Sequence, residues 1–466
     1  MRSATACAPL LLAAFLAGCG SAETYDVVIA GGRVMDPESG LDATMNVGIR
    51  EGRIAAVTRD SLAGARILDA RGLVVAPGFI DLHRHGHTER GYEAMVRDGV
   101  TTALELEIGT PHVAAWYAAR EGGQLVSYGA SVGHVGTRAI AMNDPEVGAR
   151  GRTARQRATP AQIAETERLI RVGLVEGAVG IGVGAAYTPG ASMEEITGIF
   201  AIAAQRGVAV FVHTRSGLAG LDSTLRAARE AGASLHIAHA NSSGGSAVAR
   251  FLEMIDAARA EGLDVTTEVY PYDASQSSIR SALFDGWESW DDARFRQYQW
   301  VRTGERLTRE TFASYRALGG SVLIHSRTPE LTRLAVTHRS VMFASDGDPG
   351  HPRAAGTYGR ILGQYVREEG LLDLMDALGR MTIEPARRLE PFVPAMAGKG
   401  RIRVGADADL TVFDPETVID RATYANPWLP SEGFRYVLVN GVPVVDGGEL
   451  VEGVRPGRPI EGRARY

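Results

Sequence analysis

Cysteine and lysine are almost missing from this chain of 466 residues. Both cysteines, Cys7 and Cys19, lie near the N-terminus, so the fold that follows them has no disulfide and no thiolate metal ligand. Lys399 is the single lysine among 49 basic residues, and the formal net charge of −6 gives no basic surface typical of nucleic-acid binding. Since 45% of the residues are hydrophobic, packing alone can stabilise a large core.

Long hydrophobic runs are also absent. The apolar stretch from Pro9 to Ala17 falls well short of the roughly 18–20 residues that a membrane-spanning helix requires. An early positive charge precedes it and small residues follow it, which predicts a signal peptide within residues 1–23. Residues 16–19, LAGC, resemble the lipobox of bacterial lipoproteins, which implies cleavage before Cys19 and lipidation of its thiol. The alternative is an ordinary signal peptide in which Cys19 is incidental.

A lipidated Cys19 implies a location on the periplasmic side of a bacterial envelope. The neighbouring residue is Gly20 rather than aspartate, which by resemblance to lipoprotein sorting rules favours the outer membrane. Membrane contact is then expected through the lipid on Cys19 only.

The two ends of the remaining chain differ from its middle. Residues 24–72 and 398–466 contain short alternating apolar segments broken by glycine, aspartate and asparagine, which are strand and turn signals. We therefore predict one small β-sandwich built from both chain ends.

The middle, residues 73–397, alternates hydrophobic strand segments with helical patterns, which favours parallel βα units. The predicted strands lie within VVAPGFIDLH, TTALELEIG, LVSYGASVGH, GAVGIGVG, VAVFVHTR, SLHIAHAN, DVTTEVYPY and SVMFASDG. Eight such units predict a (β/α)8 TIM barrel, whose functional residues lie at the C-terminal ends of the strands. A doubly wound open sheet is the competing architecture, but no GxGxxG sequence follows the first strand.

One connection of the barrel is unusually long. The insertion at about residues 274–337 carries three of the five tryptophans, Trp287, Trp290 and Trp300. Long insertions in a compact domain are often lids or binding loops. A packed surface subdomain is the alternative, and the sequence leaves both open.

Metal-capable side chains follow several of the predicted strands. In FIDLHRHGH, at residues 79–87, His83 and His85 lie on alternate positions and so face the same way, with His87 as a third candidate. A lone histidine at a strand end is usually only a hydrogen-bonded polar residue. Here, however, all these side chains converge on one mouth of the barrel, and imidazoles with carboxylates suit Zn²⁺ and similar ions. The other candidates at strand ends are Glu105, Glu107, His213, His239 and Asp346.

These residues bring the chain to a family resemblance. It resembles the amidohydrolase superfamily and, within it, the N-acyl-D-amino-acid deacylase (D-aminoacylase) family. The resemblance is carried by APGFIDLHRH at 76–85, VYPY at 269–272, SDGDPGHPRAAGTYGR at 345–360 and GADADL at 405–410. It implies a barrel with one or two divalent metal ions, zinc being the expected one.

The resemblance also implies a ligand set. His83, His85 and Asp346 would bind one metal, and His213 and His239 the other. The family holds its metals with a cysteine at the second strand, and many relatives use a carbamylated lysine as a bridge. This barrel has neither, so a bridge, if there is one, must be a carboxylate, and we choose Glu107 because it lies nearer the end of its strand than the other glutamate of ELE.

Catalytic and substrate roles follow from the same resemblance. A bound metal would polarise the scissile carbonyl and lower the pKa of water, while Asp346 would take the proton and deliver it to the leaving amine. Arg353 matches a family arginine suited to a substrate carboxylate, and Tyr270 a substrate-contacting tyrosine. The family sequence SHHK reads AHAN here, so Asn241 replaces a basic contact, for which Arg215 can compensate.

The sequence thus predicts a metal-dependent hydrolase that cleaves the amide of N-acyl-D-amino acids, with a small-molecule substrate and no nucleic-acid or protein partner. A cyclic-amide or dipeptide hydrolase, similar to dihydropyrimidinase, is the alternative within the superfamily. Outside it, the chain could be a non-catalytic ligand-binding lipoprotein, or a membrane-bound scaffold that uses the tryptophan-rich insertion.

Overall fold

The structure, a computed structural model, describes residues 24–146 and 151–464. The signal peptide and the lipidation of Cys19 fall outside the described residues, so the lipid anchor and the envelope location stay predictions. No helix of the described part is long and apolar enough to cross a membrane.

The two chain ends form one nine-stranded sheet, as the sequence predicts. Its strands run in the order β20-β19-β18-β17-β5-β1-β2-β3, with β4 beside β1. Its inner face buries a separate apolar core that includes Ile29, Val47 and Leu410. Numbered in chain order, the strands are β1 (Thr24–Asp36), β2 (Leu41–Arg50), β3 (Arg53–Thr58), β4 (Ala63–Asp69), β5 (Val74–Pro77), β17 (Leu410–Phe413), β18 (Phe434–Val439), β19 (Val442–Asp446) and β20 (Glu449–Leu450).

The single lysine, Lys399, lies among acidic side chains close to this sheet. Lys399 is 3% exposed, and its Nζ lies 2.6 Å from Asp409 Oδ2 and 3.2 Å from Asp407 Oδ2. Two carboxylates compensate the buried ammonium. One of them, Asp409, directly precedes β17, so the lysine lies beside the terminal sheet.

Eight parallel strands form the predicted barrel, in the order β16-β12-β11-β10-β9-β8-β7-β6. Each of the eight predicted segments overlaps one of them. Most of their buried side chains are apolar, as expected for parallel strands that are covered on both faces. They are β6 (Phe79–Asp81), β7 (Val100–Thr110), β8 (Ser127–Gly133), β9 (Ile181–Gly184), β10 (Ala209–His213), β11 (Ser234–Ile237), β12 (Val265–Val269) and β16 (Val341–Phe343).

The predicted first barrel strand, VVAPGFIDLH, is divided between the two sheets. Val74–Pro77 pairs with β1 and β17 of the terminal sheet, and only Phe79–Asp81 joins the barrel. The chain crosses at Gly78, where a Cβ would lie 2.2 Å from Thr101 Oγ1, so only glycine fits. Continuous hydrophobicity in the sequence conceals this crossing.

The seam between β6 and β16 is closed by side chains as well as backbone. The Asp81 carboxylate accepts the N–H groups of Ser345 at 3.0 Å and of His83 at 3.2 Å. Just beyond, the N–H of His85 donates to the carbonyl of Gly347 at 3.0 Å. These bonds place the residues that follow β6 directly beside those that follow β16.

Helices surround the barrel and connect its strands. The longest, α4, begins at a Thr159–Gln162 capping box with Pro160 at its first position, and α12 continues as a π-helix over Ile361–Glu368. The helices are α1 (Glu89–Val96), α2 (Val113–Ala118), α3 (His134–Ala141), α4 (Pro160–Val175), α5 (Met193–Arg206), α6 (Gly217–Ala231), α7 (Ala240–Gly244), α8 (Val248–Ala260), α9 (Asp292–Phe295), α10 (Arg309–Leu318), α11 (Pro329–Thr337), α12 (Arg353–Arg360), α13 (Leu374–Met381) and α14 (Ile383–Leu389).

The long insertion folds around its own core. An antiparallel sheet of β13 (Ala274–Ser278), β15 (Ser321–His325) and β14 (Tyr298–Trp300) carries it. Trp290 stacks on Tyr298 at 5.4 Å, and Trp300 on Tyr315 at 4.2 Å, between ring centroids. The tryptophans therefore pack a subdomain, while residues 276–278 and 280–281 of the same insertion face the mouth of the barrel.

His325 should make the protein sensitive to mild acid. Burial, with the charges of Arg306 and Arg327, lowers its pKa from 6.5 to about 4. The folded state then favours the neutral ring, so the unfolded chain binds more protons below pH 6.5 and stability falls as pH drops towards 4. Because the ring is partly exposed, we expect His325→Gln to save only about 1 kcal/mol of the stability lost between pH 7 and pH 5.

Denaturant unfolding of the full-length chain at both pH values measures this difference. His112→Gln, at an exposed position, is the matched control and should behave as the wild type. An equal loss of stability in the wild type and in His325→Gln would contradict the assignment.

Candidate metal centre

The structure brings all six predicted metal ligands to the C-terminal mouth of the barrel. Each comes from the end of a strand or from the residues that follow it, because parallel strands deliver their carboxyl ends to the same rim. They are His83 and His85 after β6, Glu107 on β7, His213 at the end of β10, His239 after β11 and Asp346 after β16.

Glu107 lies between two pairs of imidazoles. Its Oε1 is 2.5 Å from His213 Nδ1 and 3.6 Å from His239 Nε2. Its Oε2 is 3.5 Å from His85 Nε2 and 3.7 Å from His83 Nε2. One carboxylate thus offers one oxygen to each pair, which is the arrangement of a bridging ligand.

Asp346 adds a carboxylate to the first imidazole pair, His83 and His85. Its Oδ1 lies 3.5 Å from His83 Nε2 and 3.6 Å from His85 Nε2, and the two Nε2 atoms are 3.2 Å apart. One set of ligand atoms within 4.8 Å of one another comprises His83, His85 and Asp346, and a second comprises His83, Glu107 and His239. Buried nitrogens and carboxylate oxygens that converge in this way fit a divalent cation such as zinc.

The electrostatics of the centre favour positive charge. Burial alone raises the pKa of Glu107, but hydrogen bonds from the four surrounding histidines hold it well below its usual value. Burial lowers the pKa of His83, but Asp346 and Glu268 raise it well above its usual value. The carboxylates therefore favour a cation among them, as either imidazolium or metal.

The two glutamates of ELE have different partners. Glu105 lies 2.9 Å from His85 Nδ1, the ring nitrogen directed away from the centre, and its side chain is 13% exposed against 3% for Glu107. The ladder between β7 and β8 shifts register after Glu105, so strict alternation does not hold along this strand. Of the two glutamates, Glu107 is the one that contacts both imidazole pairs, and its role as the bridge stays a prediction.

A cleft of about 800 Å³ opens over the centre. Arg353 lines it, is 1% exposed, and places Nη1 2.8 Å from Asp346 Oδ2. Its guanidinium also lies over the ring of Tyr270, 4.5 Å from the centroid. The cleft is lined by His85, Glu107, Ile108, Pro145, Glu146, Tyr187, Gln276, Ser277, Ser278, Arg280, Ser281, Ser321, Asp346, Asp348 and Arg353.

The other predicted substrate residues stand further back. Tyr270 is fully buried, and its hydroxyl accepts from Arg327 Nη2 at 3.0 Å. Asn241 Nδ2 donates to the carbonyl of Tyr270 at 2.9 Å, so Asn241 positions the tyrosine. The sequence predicts a substrate contact for Arg215. In the structure its Nη2 donates to the carbonyl of Ala191 at 2.5 Å, so this guanidinium anchors the loop before α5.

Several residues of the site escape sequence reasoning. Tyr187 lines the cleft with its ring centroid 4.5 Å from that of His213. Glu268, a glutamate inside the hydrophobic segment DVTTEVYPY, contacts His83 Nδ1 at 2.8 Å, and only its unusual position in a buried strand could have signalled it. His87, the third histidine of the motif, places Nε2 3.1 Å from the carbonyl of Arg84 and makes no part of either ligand set.

A TIM barrel whose mouth holds two imidazole pairs, a carboxylate between them and an aspartate has the ligand groups of a metal-dependent barrel hydrolase. The chain belongs to the amidohydrolase family, whose model matches residues 66–445. The predicted family resemblance is thereby confirmed.

Similar proteins extend over nearly the whole chain. An N-acyl-D-glutamate deacylase of Alcaligenes xylosoxydans xylosoxydans is 34% identical over 94% of this chain and 96% of its own length. The crystal structure of N-acyl-D-glutamate deacylase from Bordetella bronchiseptica, complexed with zinc and a phosphonate mimic of the tetrahedral intermediate, has a TM-score of 0.79 at 28% identity. A D-aminoacylase with a binuclear metal centre has a TM-score of 0.79 at 27% identity. Each of these two structures covers 94% of this chain and is itself matched over 100% of its length.

Proposed function

We propose that this protein is a zinc-dependent hydrolase that cleaves the amide of N-acyl-D-amino acids to a carboxylate and a D-amino acid. The observation that carries the proposal is Glu107 between the His83–His85 and His213–His239 pairs, with Asp346 beside the first pair. Deacylases of this substrate class are among the similar proteins, and they match nearly the full chain.

The six residues would hold one or two zinc ions. When bound, such an ion polarises the scissile carbonyl and lowers the pKa of water towards 7. Asp346 is the base that takes the proton of the attacking water, since its Oδ1 faces the centre while Oδ2 is held by Arg353. The same carboxyl then delivers the proton to the amine nitrogen as the carbon–nitrogen bond breaks.

Arg353 is the proposed partner of the substrate carboxylate. Its Nε and Nη1 are buried and have no hydrogen-bond partner among the described atoms. Nη1 approaches Asp346 as an ion pair without hydrogen-bond geometry, so these donors remain available for a carboxylate in the cleft. The ring of Tyr270 packs against this guanidinium, and Tyr270 is itself held by hydrogen bonds from Arg327 and Asn241.

The test uses the full-length protein with its zinc content measured. We expect turnover of N-acetyl-D-amino acids, little turnover of the L-enantiomers, and poor turnover of N-acetyl-D-amino acid amides, which lack the carboxylate. Removal of metal by a chelator should abolish activity, and zinc should restore it. The same panel includes hydantoins, dihydropyrimidines and dipeptides.

Preferred turnover of the cyclic amides or dipeptides would replace the proposal with the alternative within the superfamily. A folded protein that binds no zinc and hydrolyses no member of the panel would leave only the ligand-binding interpretation. Equal turnover of the D-amino acid amides would remove the role assigned to Arg353.

A further inference from the structure

Glu268 lies on β12, directly behind the metal centre, and uses both carboxylate oxygens. Its Oε1 is 2.8 Å from His83 Nδ1 and accepts the backbone N–H of His239 at 2.7 Å. Its Oε2 forms a hydrogen bond with His236 Nε2. The residue is 1% exposed, so these three contacts account for its polar surface.

The contact with His239 determines where the hydrogen on His83 lies. A backbone N–H can only donate, so Oε1 acts as an acceptor in that bond, and an ionised carboxylate has no hydrogen of its own to donate. His83 Nδ1 approaches the same oxygen and must therefore carry the hydrogen of its own bond. In a neutral imidazole the other nitrogen then keeps its lone pair, and that nitrogen, Nε2, is the one facing Glu107 and Asp346.

Oε1 of Glu268 also fixes the backbone of His239, which belongs to the second imidazole pair. His239 has φ of 32°, in the left-handed region that residues with a Cβ adopt uncommonly. The bond from its N–H to Glu268 constrains this backbone conformation. One buried carboxylate thus links a ring of the first imidazole pair to the backbone of the second.

His236 keeps Glu268 in place. It belongs to β11 and pairs with Thr266, which lies on the same face of β12 as Glu268. Its Nδ1 lies 2.8 Å from Thr266 Oγ1, so both ring nitrogens are engaged. Satisfied buried networks of this kind fix one arrangement of their members.

We propose that Glu268 is a positioning residue of the metal centre, which sets His83 in the tautomer that presents Nε2 and fixes the backbone of His239. A residue that bonds the other ring nitrogen of a metal-binding histidine holds that ring in position, and its substitution typically weakens metal binding by about 10- to 100-fold. The inference rests on the metal centre of the proposed function.

The experiment measures zinc affinity of the metal-free, full-length protein by competition with a chromophoric chelator. Glu268→Met removes both acceptor oxygens at similar volume and should weaken zinc binding about 10- to 100-fold. Glu268→Gln keeps one carbonyl oxygen for His83 and His239 and should retain most of the affinity. The control is Glu195→Met: Glu195 is equally buried and pairs with His134 at 2.9 Å and Arg138 at 2.7 Å, outside both ligand sets.

Zinc binding by Glu268→Met as tight as that of the wild type would overturn the inference, as would equal weakening by Glu268→Gln. If the wild type binds no zinc, both the proposed function and this inference fail. If circular dichroism shows that Glu268→Met does not fold, the tautomer of His83 tests the inference instead. Nitrogen-15 spectra of metal-free wild type, assigned with His83→Asn, should show hydrogen on Nδ1 of His83 whether the ring is neutral or protonated, and an Nδ1 without hydrogen would overturn the inference.

Discussion

Glu107→Gln should lose zinc and lower kcat/KM on the order of 1000-fold, since several kcal/mol of transition-state stabilisation depend on the metal. The carboxylate presents one anionic oxygen to each imidazole pair. A carboxamide has a single acceptor oxygen, and its NH₂ group would face ring nitrogens that must act as ligands. Metal content per chain and steady-state kinetics on an N-acetyl-D-amino acid measure both effects.

Glu105→Gln is the matched control for this prediction. Glu105 lies on the same strand, and its contact with His85 Nδ1 needs only an acceptor, which the carboxamide oxygen supplies. We expect at most about a tenfold loss of metal affinity. A greater metal loss in Glu105→Gln than in Glu107→Gln would reverse the assignment of the bridge.

Asp346→Asn should lower kcat by about 10²- to 10⁴-fold, the usual contribution of a general base and acid. The carboxamide keeps an oxygen at the position of Oδ1 beside His83 and His85, so zinc should be retained in part. Because the amide cannot take a proton, kcat should fall much more than KM changes. The measurement is kcat and KM at equal zinc content.

Asp348→Asn provides the comparison for this substitution. Asp348 lines the same cleft, but its Oδ2 is bonded by Gln276 Nε2 at 2.8 Å, and it belongs to neither ligand set. Its kcat should stay within about tenfold of the wild type. A zinc-loaded Asp346→Asn enzyme with more than about a tenth of the wild-type kcat would exclude Asp346 as the proton-transfer group.

The barrel and its ligands could be predicted because both depend on local regularities. Continuous hydrophobic segments gave the eight strands, and the rule that parallel strands end at one rim brought His83 and Asp346 together across 263 residues of chain. Glu107 could be preferred to Glu105 from its place along β7 alone. These inferences needed no knowledge of side-chain contacts.

The rest depends on contacts between elements that no periodicity encodes. Glu268 meets His83 only after the sheet has closed, and Arg215 turns to a loop carbonyl because the direction of a side chain beyond a strand end is set by its neighbours. The glycine at the crossing, Gly78, is similar, since it is Thr101 on the adjacent strand that leaves no room for a Cβ there.

The proposed glutamate bridge would make the centre chemically self-sufficient. The only lysine is buried between two aspartates far from the barrel mouth, so no carbamate has to form from dissolved carbon dioxide before the ligands are complete. Both cysteines precede residue 20, so the ligand set holds no sulfur that an oxidant can consume. Imidazole and carboxylate groups need neither a gas nor a reductant, and such a centre can assemble wherever zinc and the folded chain meet.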